Sequence, residues 1–169
     1  MLNQNLPAHV RMGLIRKQAD WSIERFDAYW RDQHGALAAR VPGLQGYWQN
    51  LVTDRLQRGI DYARGPWDFD GFSQLWIDPA QPAQIAFGQG DLAAALMADE
   101  QHFLAGLHIV TTEQTEVIAL PDDPAARARL LKRISTLRRR ADLSEGDFRR
   151  EWRVHADLVR TMPGVSGYR

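Results

Sequence analysis

The sequence predicts an α+β fold: a ferredoxin-like βαββαβ module, with an antiparallel sheet and both helices on one face, followed by the start of a second similar module. Two observations lead to this prediction. Strand-like and helix-like patterns alternate in the order strand, helix, strand, strand, helix, strand between residues 8 and 120. The stretch Ser22–Tyr47 then recurs near the end of the chain as Ser144–Tyr168, which indicates a duplicated unit.

The first strand and the first helix follow from simple local signals. Residues 9–17 alternate well enough for a strand. The Ser22 hydroxyl is placed to cap a helix predicted over residues 23–40. Pro42 and Gly43 end that helix, because proline cannot continue the hydrogen-bond ladder and glycine permits the turn.

The rest of the first module, residues 8–120, is read in the same way. Residues 44–53 and 71–77 are predicted strands, separated by a polar loop at 54–70 that is long enough to act as a lid or flap. Residues 91–106 are predicted to be helical. Residues 107–120 are rich in β-branched side chains and predict the fourth strand.

A proline-rich boundary precedes the second copy. Residues 121–128 are predicted to be a linker, and residues 129–169 the β-α-β beginning of a second module. A strand over 130–137, an N-cap at Ser144 and a helix over 145–162 are expected. Such a fragment would leave an apolar helix face uncovered, so it is expected to continue further or to pack against other protein.

The two copies match at rare residue types. Ten aligned pairs are identical: Ser22/Ser144, Phe26/Phe148, Trp30/Trp152, Arg31/Arg153, His34/His155, Leu37/Leu158, Pro42/Pro163, Gly43/Gly164, Gly46/Gly167 and Tyr47/Tyr168. The second copy lacks one residue, between Trp152 and His155.

Composition excludes several classes of function. The chain of 169 residues has no cysteine and equal numbers of basic and acidic residues, 21 each, so disulfides and thiolate metal sites are excluded. No signal peptide and no membrane-spanning run is expected, and a cytoplasmic location is predicted. The basic residues between 127 and 140 alternate with apolar ones and lack an aromatic stacking platform, so nucleic-acid binding is not expected.

The first copy resembles the EthD family, named for a protein of ethyl tert-butyl ether degradation. The resemblance rests on the combination of Phe26, Trp30, His34, Pro42-Gly43 and Tyr47, with further similarity at Asp70–Trp76 and at Asp99 and Phe103. It covers about residues 10–120 and restarts at about 130. It implies a dimeric α+β barrel with a pocket between sheet and helices. Two copies in one chain resemble a fused pseudo-dimer, and a homodimer is a further expectation.

His34 and Tyr47 are the leading catalytic candidates, and His155 and Tyr168 repeat them at the same separation of 13 residues. A neutral imidazole can take a proton from a carbon next to a carbonyl, and a phenol can hold the enolate oxygen that develops. An isomerase of the wider superfamily similarly places a histidine and a tyrosine at this spacing. The alternative is structural: the histidine caps helix carbonyls and the tyrosine packs in the core.

Five further residues are candidates for contact with a substrate: Trp30, Arg31, Trp67, Trp76 and His102. Trp30 also suits the core, and Arg31 also suits a solvated helix face, although its guanidinium could clamp a carboxylate. Asp99 and Glu100 lie beside His102, but their spacing is not that of a metal site, and no metal is expected.

The function expected from the residues and the resemblance together is a cofactor-free isomerase, cyclase or dehydratase. Its substrate would be a lactone or an aromatic, polyketide-like small molecule. Two alternatives stay open: a non-catalytic binding or accessory protein of a degradation pathway, and a haem- or oxygen-using relative. The wider superfamily is implied to contain all of these activities, so the fold does not choose among them.

Overall fold

The computed structural model describes residues 9–55, 68–78, 80 and 89–169. The chain divides into two units, residues 1–113 and residues 114–169, which are described separately below. Most of the predicted loop 54–70, including Trp67, lies outside the described residues.

Within its described residues, the first unit contains four strands and two helical regions. In chain order its elements are β1 (His9–Lys17), α1 (Ile23–Tyr29), the π-helical turn π1 (Trp30–His34), α2 (Gly35–Ala38), β2 (Leu44–Leu51), β3 (Gly71–Ile77), α3 (Asp91–Phe103) and β4 (Leu104–Glu113). The strands form one sheet in the order β2-β3-β1-β4, and every neighbouring pair is antiparallel. This is the predicted ferredoxin-like arrangement, and the fold prediction is confirmed.

The first helical region begins and ends where the sequence indicates. The Ser22 hydroxyl accepts a hydrogen bond from the backbone N–H of Arg25 at 3.2 Å, which satisfies one of the free donors of the first turn. The three segments α1, π1 and α2 follow one another without a break and end at Ala38. Gly43 then adopts a φ of 77°, which glycine reaches without a steric penalty.

Aromatic side chains join this helical region to the sheet. Phe26, Trp30 and Phe103 are essentially buried, and they form one cluster with Ile15 of β1 and with Trp21. Phe26 stacks on Trp30 with ring centroids 5.4 Å apart. Trp30 is therefore a core residue, as the structural interpretation expected, and burial of such large rings dominates the packing energy of a domain this size.

Gly71 at the start of β3 makes room for the Trp30 indole. A Cβ atom added at Gly71 would lie 2.6 Å from Cζ3 of Trp30 and 2.8 Å from Cη2. Such distances are far inside van der Waals contact. The close approach of backbone and indole therefore requires glycine at this position.

Two boundaries differ from the sequence prediction. Residue 104 adopts an extended conformation directly after α3, and it pairs with Lys17, so β4 starts earlier than predicted. The strand ends at Glu113 rather than continuing to residue 120. β4 pairs along β1, whose first residue, His9, is matched with Glu113, so the partner strand sets where β4 ends.

The second unit contains two helices, α4 (Pro124–Arg127) and α5 (Glu145–Arg160). The helix predicted over residues 145–162 is therefore present as α5. The Ser144 hydroxyl accepts from the backbone N–H of Asp147 at 3.1 Å, which is the same capping interaction as at Ser22. Gly164 repeats the positive φ of Gly43, at 81°. The serine cap, the helix and the glycine turn of the motif are therefore present, while the assignment of residues 129–169 to the beginning of a second module remains a prediction.

The strand predicted over residues 130–137 is wrong. Residues 130–140 form neither helix nor strand, and Leu131 and Leu137 are 100% and 58% exposed. A strand is stabilised by hydrogen bonds to a neighbouring strand. Within residues 114–169 the strand-type pairing is a single bridge, between Ile118 and Tyr168, so an alternating pattern alone was not sufficient.

The fit of Trp30 against β3 gives a first prediction. Gly71→Ala should lower the free energy of unfolding by about 1–3 kcal/mol, because the added methyl group overpacks the Trp30 site. Urea unfolding followed by tryptophan fluorescence measures this change. Gly106→Ala in β4 is the matched control, since its Cβ would meet Arg16 at 3.6 Å, an ordinary contact. Equal stability of the two variants would contradict the packing described here.

Candidate functional site

A small cavity lies between the helical layer and the sheet of the first unit. Its polar lining comes from three strands and two helical regions: Arg11, His34, Tyr47, Ser73 and Glu100. Its apolar lining includes Trp30, Leu75, Leu96, Phe103 and Leu107. The free volume open to the centres of water molecules is about 30 Å³, which is room for roughly two waters.

The turn π1 positions His34. A π-helical turn closes its hydrogen bonds over five residues instead of four, and here the backbone N–H of Gly35 donates to the carbonyl oxygen of Trp30. In a regular α-helix, residues five apart point about 140° away from each other. The wider turn takes up one extra residue, so Tyr29 and His34 come to the same side and contact the same partner.

That partner is Asp99 of α3. The His34 Nδ1 lies 2.7 Å from Oδ2 of Asp99, and the Tyr29 hydroxyl donates to Oδ1 at 2.6 Å. A carboxylate only accepts hydrogen bonds, so His34 donates through Nδ1 and its Nε2 is the basic nitrogen of the ring. The two side chains of the His34–Asp99 pair are 10% and 13% exposed, so water screens their interaction weakly.

Tyr47 of β2 contributes the second group that the sequence indicated. Its ring centroid lies 6.5 Å from that of His34, with the two planes at 73°. The hydroxyl accepts from Nε2 of Gln49 at 3.0 Å, which leaves the phenol proton available to a ligand. Burial raises the pKa of Tyr47, while hydrogen bonds from Gln49 and Trp30 act in the opposite direction. The phenol is therefore neutral at neutral pH and can act as a donor.

Gln49 also ties β2 to π1. Its Nε2 donates to the Trp30 carbonyl oxygen at 2.7 Å, the same oxygen that Gly35 N–H contacts. A Cβ at Gly35 would lie 3.2 Å from that amide nitrogen and 3.3 Å from the carbonyl oxygen. The missing side chain at Gly35 thus lets one glutamine fix both the widened turn and the Tyr47 hydroxyl.

Two oppositely charged residues complete the polar lining. Arg11 of β1 and Glu100 of α3 are both half-buried. Burial lowers the pKa of Arg11, and the negative charge of Glu100 acts in the opposite direction. Burial raises the pKa of Glu100, and the positive charge of Arg11 acts in the opposite direction. The cavity therefore holds a cation and an anion that stabilise each other.

Three of the predicted substrate-contact residues, Arg31, His102 and Trp76, lie away from this cavity, and the first two are at the surface. The Arg31 side chain is 58% exposed and pairs with Asp27 and Asp32, each at 3.0 Å. His102 is exposed and packs its ring edge against Trp21 at 5.3 Å. A structural or surface role accounts for both.

Trp76 lies on the opposite face of the sheet. Successive residues of a strand point to opposite faces, and its neighbour Leu75 lines the cavity. Trp76 packs against Trp48, with ring centroids 4.8 Å apart. Trp67, the remaining candidate, is outside the described residues.

The second unit repeats the ring geometry at a solvent-exposed position. The His155 and Tyr168 centroids are 6.4 Å apart with planes at 70°, nearly the values of His34 and Tyr47. Their surroundings differ, however. His155 is exposed and stacks on Trp152 at 5.0 Å, and Trp152 is itself 40% exposed.

The residues that sequence reasoning missed are those that support His34. Asp99 entered the sequence analysis through the family resemblance and, with Glu100, through a rejected metal site, but not as a partner of His34, and Tyr29, Gln49 and Arg11 were not assigned to the site. One signal was available for Arg11. Side chains alternate between the two faces of a strand, so Arg11 shares its face of β1 with Gly13 and Ile15. Among the described residues, no cluster of histidine and acidic side chains could hold a metal ion.

Comparison with known proteins identifies one family. The family described as EthD domain matches residues 18–106, more than half of the chain. No curated protein matches the sequence significantly. Within the described residues, each helix is too short or too polar to span a lipid bilayer.

Several solved structures are similar to the chain. An ethyl tert-butyl ether degradation (EthD) family protein from Bacillus halodurans is 18% identical with a TM-score of 0.48, over 63% of this chain and 99% of that one. A dimeric ferredoxin-like protein of unknown function from Bacteroides fragilis is 11% identical, with a TM-score of 0.42 and coverages of 65% and 100%. HapK from Hahella chejuensis is 17% identical, with a TM-score of 0.43 and coverages of 63% and 92%.

The bond from Tyr29 to Asp99 gives a prediction about alkaline pH. This hydrogen bond, with burial and the negative charge of Asp99, raises the pKa of Tyr29 from 10.0 to about 12. Since the folded protein keeps the proton longer than the unfolded chain, the stabilisation is present below pH 10 and is lost between about pH 10 and 12. The free energy of unfolding, measured across this pH range, should show this decrease in the wild type and not in Tyr29→Phe.

Phenolate absorbance during an alkaline titration checks the same interaction directly. Asp99→Asn should move the Tyr29 transition towards pH 10, because the negative charge is removed. If Tyr29 titrates identically in the wild type and in Asp99→Asn, the bridge from Asp99 to the widened turn is wrong.

Proposed function

The chain belongs to the EthD family, and from this premise we propose that it is an enzyme that moves a proton at a carbon next to a carbonyl group. The substrate is a small lactone or an aromatic, polyketide-like molecule, and the overall reaction is an isomerisation, cyclisation or dehydration. The proposal assigns the chemistry to the cavity of the first unit, with His34 as general base and acid and Tyr47 as the group that holds the carbonyl oxygen.

One observation carries this proposal: the 2.7 Å contact between Nδ1 of His34 and Asp99. A histidine whose Nδ1–H is held by a carboxylate has a fixed ring orientation and a fixed tautomer, in which Nε2 carries the lone pair that can accept a proton. A histidine that merely packs in the core does not require a buried carboxylate partner. The second oxygen of Asp99 is held by Tyr29, which restricts the carboxylate as well.

The proposed reaction uses two residues that line one cavity. Nε2 of His34 takes a proton from the carbon next to the carbonyl, the electron pair of the broken C–H bond forms a C=C bond, and negative charge develops on the carbonyl oxygen. Tyr47 donates a hydrogen bond to that oxygen. The imidazolium, stabilised by Asp99, returns the proton to another carbon in an isomerisation, or to a hydroxyl group that leaves as water in a dehydration.

Substrate entry requires the cavity to widen. A volume of about 30 Å³ is far below the 300–1,000 Å³ that is typical of ligand pockets. Part of its wall is formed by half-buried apolar side chains outside the reacting pair, including Leu104 and Leu107, which can move into solvent at smaller cost than fully buried ones. We therefore expect binding to displace this part of the wall while His34 and Asp99 stay paired.

Exchange of carbon-bound hydrogen for deuterium tests the proposal without knowledge of the natural substrate. Unsaturated lactones and acetyl-substituted phenols are incubated with the protein in D₂O, and exchange next to the carbonyl is followed by NMR. The wild type should accelerate exchange for at least one compound. His34→Gln should reduce that rate by about 10²–10⁴-fold, the range that general-base catalysis contributes, and Asp99→Asn by about 10–100-fold, as a residue that positions the base.

His102→Gln is the matched control, because it removes an exposed imidazole outside the cavity and should leave exchange unchanged. Circular dichroism shows whether each variant is folded. A compound that binds the wild type without faster exchange would favour the alternative, a binding protein without turnover. If folded His34→Gln accelerates exchange as much as the wild type does, His34 is not the base of this reaction.

A further inference from the structure

We infer that the substrate of this cavity carries a hydroxyl group in addition to its carbonyl group, and that the carboxylate of Glu100 binds this hydroxyl. The inference rests on the proposed function, because it adds a second recognition contact to the same site. In the proposed reaction the carbonyl oxygen accepts a hydrogen bond from Tyr47, whereas the hydroxyl would donate one to Glu100.

The packing of α3 places Glu100 at the cavity. Residues three or four apart on a helix share a face, and Leu96, Glu100 and Phe103 are spaced in this way. All three line the cavity, together with His34 and Tyr47. Leu96 and Phe103 are buried, whereas Glu100 is half-buried. Apolar packing before and after Glu100 along the helix therefore sets the position of its carboxylate.

The Glu100 carboxylate differs from that of its neighbour Asp99 in its hydrogen bonds. Asp99 accepts from Tyr29 at 2.6 Å and from His34 at 2.7 Å. Within the part of the chain that the structure describes, no group donates a hydrogen bond to Glu100, and Arg11 acts on it through its charge alone. Burying an ionised group without hydrogen bonds is costly. When a ligand fills the cavity and displaces water, the Glu100 carboxylate therefore needs a donor from the ligand.

The charges around Glu100 favour a neutral donor. A ligand carboxylate would be repelled by Glu100 and Asp99, and a ligand ammonium group would be repelled by Arg11. A hydroxyl group carries no net charge, and its hydrogen bond to a carboxylate is a strong, charge-assisted one. Since Tyr47 donates and Glu100 accepts in the same small cavity, a ligand with one carbonyl and one hydroxyl group is oriented from two points.

Matched ligands with and without the hydroxyl group test this inference. The probes are hydroxyacetone with butanone, and para-hydroxyacetophenone with para-fluoroacetophenone, because each pair has nearly the same shape but only its first member donates a hydrogen bond. Binding is measured by titration NMR on His34→Gln, in which the chemistry is disabled, so the result does not depend on turnover. In at least one pair the hydroxyl compound should bind about 10-fold more tightly or better, as expected for a hydrogen bond to a charged group.

Adding Glu100→Met to His34→Gln should abolish this preference for the hydroxyl compound, because methionine offers only a weak acceptor. Adding Glu151→Met, which removes an exposed carboxylate of α5, should leave the preference unchanged. Glu100→Gln keeps a neutral acceptor, should retain part of the preference, and serves if Glu100→Met does not fold. The inference is overturned if both members of each pair bind equally, if neither hydroxyl compound binds, or if the preference survives in the folded Glu100→Met protein. Loss of deuterium exchange with an intact hydroxyl preference would instead count against the proposed function alone.

Discussion

The contact between Asp99 and His34 is the interaction on which the rest of the site depends. It joins α3 to the helical region of residues 23–38, and it fixes which nitrogen of the imidazole is basic. Because both partners are largely removed from water, removing one would leave a buried hydrogen-bonding group of the other unsatisfied, at a cost of about 1–3 kcal/mol. Tyr29 shares the carboxylate, so the orientation of Asp99 is set from two positions of one helical region.

The widened turn keeps this shared contact in place around one extra residue. The segment that begins at Ser22 has one more residue between its tryptophan and its histidine than the similar segment that begins at Ser144. In the first segment this interval, Trp30–His34, is π-helical, whereas α5 runs as an α-helix from Glu145 to Arg160. One π-helical turn accommodates the extra residue, and such turns are frequent at functional sites. Tyr29 and His34 therefore stay on one side of the helical region, as residues four apart do in a regular α-helix.

Much of the fold could be predicted because it depends on local signals. The two serine caps, the glycine turns and the strands at 9–17 and 71–77 follow from residue type and alternation. The cavity pair His34 and Tyr47 was indicated by its repetition. Asp99 was not assigned as their partner, because a contact across 65 residues depends on how two helices pack. The prediction of a strand over residues 130–137 was wrong for a related reason. The alternating pattern is local, but a strand also requires a neighbouring strand to which it can hydrogen-bond.

Electrostatics and packing together define what the cavity can do. Trp30 and Phe103 close its apolar side, and Gly71 admits the indole that holds the helical region against β3. The polar side contains a base, a phenol and an ion pair within one small volume. Such a volume excludes bulk water, and proton transfer within it would proceed between groups whose positions are fixed before the ligand arrives.

The most direct test of this account is nitrogen NMR of the His34 ring at mildly alkaline pH. The account predicts that Nδ1 carries the proton and Nε2 is unprotonated in the wild type, and that Asp99→Asn produces a mixture of both tautomers. A wild-type ring that is protonated at Nε2, or a tautomer that does not respond to Asp99→Asn, would contradict the central role of the His34–Asp99 contact.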